Sequence, residues 1–229
     1  NELSSNSSGL GILLDYDSEK TGLLSRSVDI SDQHQFAGGS PTVGFIGAGN
    51  YSSRILIPAF KKTGVQLHSI VTANGINSII HGRKAGFLKA STDVGAMLNE
   101  TAINTVVIAT QHNTHAKYVV DSLNANKNVW VEKPLAIDRE SLSQIEAAYF
   151  KAHSSGASSG AQNGPQLMVG FNRRFAPQVK KMHELLSAIM VPKSIIITVN
   201  AGFIPNEHWT QDPLVGGGRI IGEGCHFID

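Results

Sequence analysis

The run Val43-Gly44-Phe45-Ile46-Gly47-Ala48-Gly49-Asn50-Tyr51-Ser52 leads a short apolar strand into a G-x-G-x-x-S turn, and residues 53–62 continue with helical spacing. That order constrains the fold more than any other feature of the chain. Glycine at 47 permits a tight turn out of the strand. Glycine at 49 lets a pyrophosphate approach bare backbone. The small Ser52 lets the helix pack closely on the strand. The first N–H groups of the helix are unpaired and carry the positive end of its dipole, which suits a phosphate. A G-x-G-x-x-G-like run alone is weak. Set between a strand and a helix, it predicts a dinucleotide site contacted by Gly47, Gly49, Asn50, Tyr51 and Ser52.

The rest of the chain repeats the strand–helix rhythm. Apolar, β-branched runs predict strands at 42–46, 66–72, 105–110, 128–132 and 167–171, with a short one near 87–89. Such runs suit a parallel sheet covered on both faces. Helices are predicted at 53–62, 76–85, 93–99, 114–126 and 138–152, with Asn113 and Asp138 as N-caps. The fold class is therefore α/β, a Rossmann doubly wound parallel sheet, with ligands expected at the carboxyl ends of its strands. Residues 153–165 (HSSGASSGAQNGP) are low in complexity and are expected to form a flexible surface loop.

Both ends of the chain differ from this middle part. Residues 1–40 offer short strands at 11–16 and 25–30 and a polar linker from 31, too little to bury a core. After residue 171 come a helix at 177–189, a strong strand at 194–201, a long loop and a helix at 219–229. One strand and two helices do not close a sheet, so this is expected to be the incomplete start of an α+β substrate domain. The division expected is 1–40 as an extension, linker or tail of an upstream unit, 41–172 as the dinucleotide-binding domain, and 173–229 as the beginning of a second domain. The chain begins at Asn1 rather than Met, as a piece of a longer protein would.

Composition excludes several classes. Of 229 residues, 41% are hydrophobic and 16% charged, a globular profile. The net charge of +1 comes without a basic cluster, so neither nucleic acid nor an anionic membrane surface is an expected partner. A single cysteine, Cys225, rules out an internal disulfide and a Cys-rich zinc site, and it is compatible with a cytoplasmic location. No metal is expected. There is neither an apolar run of membrane-spanning length nor a signal-peptide pattern at the start.

Four further motifs carry a resemblance. Asn128-Val-Trp-Val-Glu132-Lys133-Pro134 ends a strand in Glu-Lys-Pro. Ala109-Thr110-Gln111-His112-Asn113-Thr114-His115 ends the preceding one. Gly170-Phe-Asn-Arg-Arg-Phe175 and Gly216-Gly-Gly-Arg-Ile-Ile-Gly-Glu-Gly-Cys-His226-Phe-Ile-Asp229 follow. Together they closely resemble the Gfo/Idh/MocA oxidoreductases, over about residues 42–229. The likeness stops where the family's large open sheet would be built. Residues 1–40, with Gly11-Ile-Leu-Leu-Asp-Tyr16 and a linker, resemble the end of the first half of bi-domain oxidoreductases.

The resemblance implies hydride transfer between a sugar, nucleotide-sugar or cyclitol hydroxyl and NAD or NADP, within carbohydrate metabolism. It also implies a homo-oligomer in the full-length protein. Lys133 would stabilise charge on the reacting oxygen, as its place at a strand's end before a proline allows. Its bond to Pro134 is often cis in the family. His226 would be the general base. Glu132 would face the nicotinamide ribose or position Lys133, and Thr110, His112 and Arg173 would contact the cofactor. His208 and Trp209 are candidates for sugar contact.

Two departures stand out. Many relatives carry an acid four residues before the histidine, where this chain has Gly222. Either Glu223, sharing a helical face with His226 at i+3, orients it, or the acid is lost and the family's triad is incomplete. NAD sites place an acid about 20 residues past the glycines. Here Val71-Thr72-Ala73-Asn74-Gly75 holds neither an acid nor an arginine, and the family's habit gives only a slight preference for NAD. A non-catalytic ligand sensor and an NAD-dependent glycosidase on the same fold remain alternatives.

Overall fold

The computed structural model describes residues 25–31, 40–157 and 164–229. Seven strands form one sheet: β1 Ser27–Asp29, β2 Thr42–Ile46, β3 Gln66–Val71, β4 Lys89–Ser91, β5 Thr105–Ile108, β6 Asn128–Val131 and β7 Leu167–Val169. Their spatial order is β1-β4-β3-β2-β5-β6-β7. All neighbours are parallel except β1, which pairs antiparallel with β4 at the edge. The helices are α1 Ile57–Lys62, α2 Gly75–Ala85, α3 Val94–Leu98, α4 His115–Asn124, α5 Arg139–Ala157, α6 Pro177–Ser187 and α7 Cys225–Ile228.

The side-chain alternation of the central strands explains why both faces are covered. In β2, Val43 and Phe45 enter one core, with Leu56 and Ile57 from the start of the first helix and Ile70 and Phe87. Ile46, on the opposite face, joins Met97, Leu98, Val106, Ile108, Val119 and Ile145 in the other. Phe45 is fully buried and meets Phe60 and Phe87 edge-on at centroid distances of 5.4 and 5.6 Å. Burying a ring of that size stabilises the fold by about 2–3 kcal/mol.

The chain leaves β2 for β3 on one side and returns to β5 on the other. The carboxyl ends of β2 and β5 therefore open a crevice at the point where strand order reverses. Just beyond it the ladder continues through Gly47 N–H to Val71 O and Ala109 N–H to Ile46 O, both 2.8 Å.

The main strands and helices fall where the sequence places them, with local differences. The short strand lies at Lys89–Ser91 rather than 87–89. The first helix starts with a π-turn, Ser52–Leu56, before α1. Asp138 caps α5, accepting from the Ser141 N–H at 2.7 Å. Asn113 caps nothing: it sits inside a 3-10 turn, His112–Thr114, and its N–H is taken by the Val215 carbonyl at 3.0 Å. α5 runs to Ala157, past the expected end at 152. The remainder of the low-complexity stretch up to 163, the strand expected at 11–16 and most of the linker lie outside the described residues. Within the stretch expected at 25–30, Ser27–Asp29 is built into the sheet as β1.

The expected strand at 194–201 is not formed. Ile196 is 92% exposed, and Ile195, Ile197 and Val199 are exposed beside it. A strand exists only through a neighbour that takes its N–H and C=O groups, and no described segment pairs with this one. The α6 helix likewise has no buried residue. The segment expected to be helical at 219–229 is a π-turn, Ile220–Gly224, running into the single turn of α7.

Candidate active site

A cleft of about 940 Å³ lies along the carboxyl ends of β2, β3, β5 and β6. The glycine turn lines it. Gly47 has φ of +101°, and a Cβ there would run into the Ala109 carbonyl, so only glycine fits. A Cβ at Gly49 would meet nothing within 4 Å and would project into open space. Ser52 is buried and donates from Oγ to the Gly47 carbonyl at 2.9 Å, which ties the turn to the helix that starts there. Asn50 and Tyr51 line the cleft with it.

Beside the turn, the cleft is built from β5 and β6, and a Cβ on Gly47 would lie 3.1 Å from Thr110 Cγ2. Thr110, Gln111 and His112 leave β5, and Glu132 and Lys133 leave β6. His115, wholly buried, lies 2.7 Å from the Pro134 carbonyl and 3.2 Å from that of Thr110, which holds the two strand ends together. The Lys133–Pro134 peptide is cis. The Lys133 ammonium donates to the Gly222 carbonyl at 2.7 Å, so the C-terminal segment is drawn over the cleft.

Two polar atoms here are buried without a hydrogen-bond partner: Glu132 Oε1 and His226 Nδ1. Burial pushes the Glu132 carboxyl up to about 7, against the pull of the Lys133 N–H and ammonium. Burial pushes the His226 imidazole down, and the nearby positive charges of Lys133 and Arg173 add to that. Tyr51 is raised by burial and by the Glu132 carboxylate, while its hydroxyl accepts from Asn172 at 3.2 Å.

A family model described as an oxidoreductase family with an NAD-binding Rossmann fold matches residues 42–158. The chain belongs to the Gfo/Idh/MocA family. Its curated relatives include Oxidoreductase P35 of Formosa agariphila, 26% identical over 81% of this chain and 58% of that protein. Another is inositol 2-dehydrogenase 2 of Saccharopolyspora erythraea, 26% identical over 67% of this chain and 43% of that protein. The chain thus spans about half the length of these relatives. Among solved structures, an oxidoreductase domain protein from Kribbella flavida is 21% identical, with a TM-score of 0.64 over 83% of this chain and 52% of that one. The 3-ketoreductase KijD10 of Actinomadura kijaniata, solved with NADP and TDP-benzene, is 20% identical, with a TM-score of 0.61 over 81% of this chain and 54% of that one. At these identities the structures show a common fold.

Within this Gfo/Idh/MocA site, Gly47, Gly49, Asn50, Tyr51, Ser52, Thr110, His112, Glu132, Lys133 and His226 all border one cleft. Two expected members stand elsewhere. Arg173 does not line the cleft; its guanidinium stacks on the Phe227 ring, 4.2 Å from the centroid. That stacking gives a delocalised cation a partner other than a cofactor. Glu223 does not reach His226. Its Oε2 accepts from Arg219 at 2.8 and 3.1 Å, and it lines a separate hollow with Ile197 and Phe227. The i+3 argument fails because each hydrogen bond of the π-turn, Ile220–Gly224, spans five residues instead of four, which widens the turn and shifts which positions share a face.

Gly222 is closely confined. A Cβ there would lie 2.9 Å from Gly216 O and 3.1 Å from His112 Cε1. The space a larger side chain would need is held by His112. Cleft residues not singled out from the sequence include Asn77, Thr92 and Tyr118. Thr92 follows directly on β4, so its place at a parallel strand's carboxyl end was the available signal.

No described helix is long and apolar enough to cross a membrane.

Proposed function

We propose that the chain carries the cofactor site and the acid–base pair of an NAD(P)-dependent oxidoreductase acting on the CH–OH group of a sugar, nucleotide sugar or cyclitol. The observation that carries this reading is one cleft lined both by the Gly47–Gly49 turn and by Lys133 and His226. The two unpartnered buried atoms, Glu132 Oε1 and His226 Nδ1, fit a site awaiting polar groups from a ligand.

A dinucleotide fits this cleft: the Gly47–Ser52 turn would hold its pyrophosphate, and Glu132 and Thr110 would border its nicotinamide end. When bound, that nicotinamide supplies the hydride acceptor or donor. The protein's own groups handle the proton. Lys133, a donor only, hydrogen-bonds the reacting oxygen and stabilises the charge that develops on it. His226, kept neutral at pH 7 by burial and by its cationic neighbours, has an imidazole nitrogen free to take the hydroxyl proton. Arg173 acts on His226 through its charge and holds α7 through Phe227.

We favour NAD over NADP. Beside β3 the cleft is bordered by Thr72, Ala73, Asn74, Asn77 and Thr92, all neutral. Asn74 Oδ1 is occupied in capping α2, accepting from the Ile76 N–H at 3.0 Å. No cation among these residues would pair with a 2′-phosphate.

The test is NAD⁺ reduction with a panel of sugars and cyclitols, followed by absorbance. Net reduction that is lost in Lys133→Met supports the reading. Cleavage of an aryl glycoside without net reduction would favour a glycosidase. Tight sugar binding with neither reaction would favour a sensor.

A further inference from the structure

Residues 209–217 fold back over the carboxyl end of β5. The Asn113 N–H donates to Val215 O, and His112 Nδ1 lies 2.7 Å from Gly216 O. The Trp209 ring meets the His112 ring edge-on, with centroids 4.9 Å apart. A carbonyl only accepts, so the Nδ1 atom of His112 must carry the proton. A neutral imidazole protonated at Nδ1 has a lone pair at Nε2. That atom has no hydrogen-bond partner among the described residues, while the ring borders the cleft beside Lys133 and His226. The ring is nine-tenths buried and held on three sides, by Gly216 O, by Trp209 and by the backbone of Gly222. Turning it over would replace the Nδ1–H bond to Gly216 with a C–H contact. Burial also holds the ring neutral, pushing its pKa down to about 4.

We infer that His112 is a specificity-determining residue that accepts, through Nε2, a hydrogen bond from a substrate hydroxyl adjacent to the carbon exchanging the hydride. The inference rests on the oxidoreductase reading and adds a substrate class to it. Lys133 only donates and Nε2 of His112, in this tautomer, only accepts. A ring with two neighbouring oxygens satisfies both when the reacting oxygen faces Lys133 and its neighbour carries a hydrogen. Vicinal diols and α-hydroxy ketones meet that requirement. A ring whose neighbouring position is a ketone, an ether or a bare methylene has no hydrogen to give, so the bond to Nε2 is not made and its contribution to affinity is lost. Gly222 makes the arrangement possible, because a side chain there would press on the His112 ring.

The experiment uses the chain with ¹⁵N-labelled histidine and bound NADH. Abortive complexes with myo-inositol and with D-glucose are followed by long-range ¹H–¹⁵N spectra, with His112→Phe to assign the signals. The expected result has His112 Nε2 unprotonated in the free chain and shifted upfield by a polyol, while Nδ1 stays in place. In His112→Phe, which retains a ring against Trp209, polyol affinity at saturating NADH falls roughly tenfold, the loss of about one hydrogen bond. A proton on Nε2 in the free chain overturns the inference. So does an Nε2 signal that neither polyol moves while NADH is bound. Failure of the oxidoreductase reading shows earlier and separately, as the absence of saturable NADH binding, and would remove this inference with it.

Discussion

The Lys133 ammonium donates to the carbonyl of Gly222 at 2.7 Å, joining residues 89 positions apart in the chain. One lysine therefore serves two structural ends. It borders the cleft at the end of β6, and it draws the segment that carries His226 onto the same cleft. Replacing Lys133 with Met should loosen residues 219–228, seen as faster amide exchange there, with the sheet unaffected. Unchanged exchange would show that the contact does not hold the segment.

The same lysine lowers the proton affinity of His226, after burial itself. His226 should titrate below the ordinary histidine value, and Lys133→Met should move it upward toward that value. An NMR titration of the His226 ring measures both. A His226 pKa unaffected by the substitution would contradict the electrostatic coupling.

Glu132 should make stability depend on pH. Its folded pKa, about 7, lies above its unfolded value, so the folded state holds a proton that the unfolded state releases. The stabilisation is complete below the unfolded pKa and is lost as pH rises through about 7. Allowing for partial solvent screening, the effect is on the order of 2 kcal/mol. Urea unfolding at pH 5 and pH 8 should show it in the parent and not in Glu132→Gln. Equal pH dependence in both would exclude Glu132 as the source.

The two glycines of the turn should separate stability from binding. Gly47→Ala forces a side chain into a left-handed position against Ala109 and should cost about 2 kcal/mol or more. Gly49→Ala meets no neighbour, so stability should change by less than about 0.5 kcal/mol. Its Cβ projects toward the proposed pyrophosphate position and should weaken NADH binding roughly tenfold or more. Denaturation and NADH titration of both variants check this.

Glu223→Gln should lower the His226 pKa only slightly, because the Glu223 charge is the weakest of those acting on that ring and its carboxylate is held by Arg219. The lost pair is partly exposed and should cost less than about 1 kcal/mol. A large change at His226 would restore the orienting role that its spacing suggested.

The Rossmann half was legible because its signals are local and agree with one another. β2, β5 and β6 are short apolar runs, and each ends at a residue with a chemical task. Gly47, Ser52 and Lys133 could be placed at one cleft because parallel-sheet topology sends strand ends to one edge, whereas His226, on α7 beyond the sheet, was legible only through the motif that carries the family resemblance. What failed depended on partners or on helix pitch. Residues 194–201 have strand composition, but composition does not supply a neighbouring strand. Glu223 was assigned by α-helical spacing in a segment that forms a π-turn. Arg173 lies next to the expected cofactor edge, and only the fold reveals Phe227 under its guanidinium. The His112–Gly216 bond spans 104 positions and leaves no trace in local sequence.

The most direct test of the account is a fluorescence titration of the folded chain with NADH and, in parallel, with NADPH. Saturable binding of NADH, tighter than that of NADPH and weakened in Gly49→Ala, is the predicted result. Binding of neither cofactor by a chain shown to be folded would contradict the proposed dinucleotide site and the chemistry built on it.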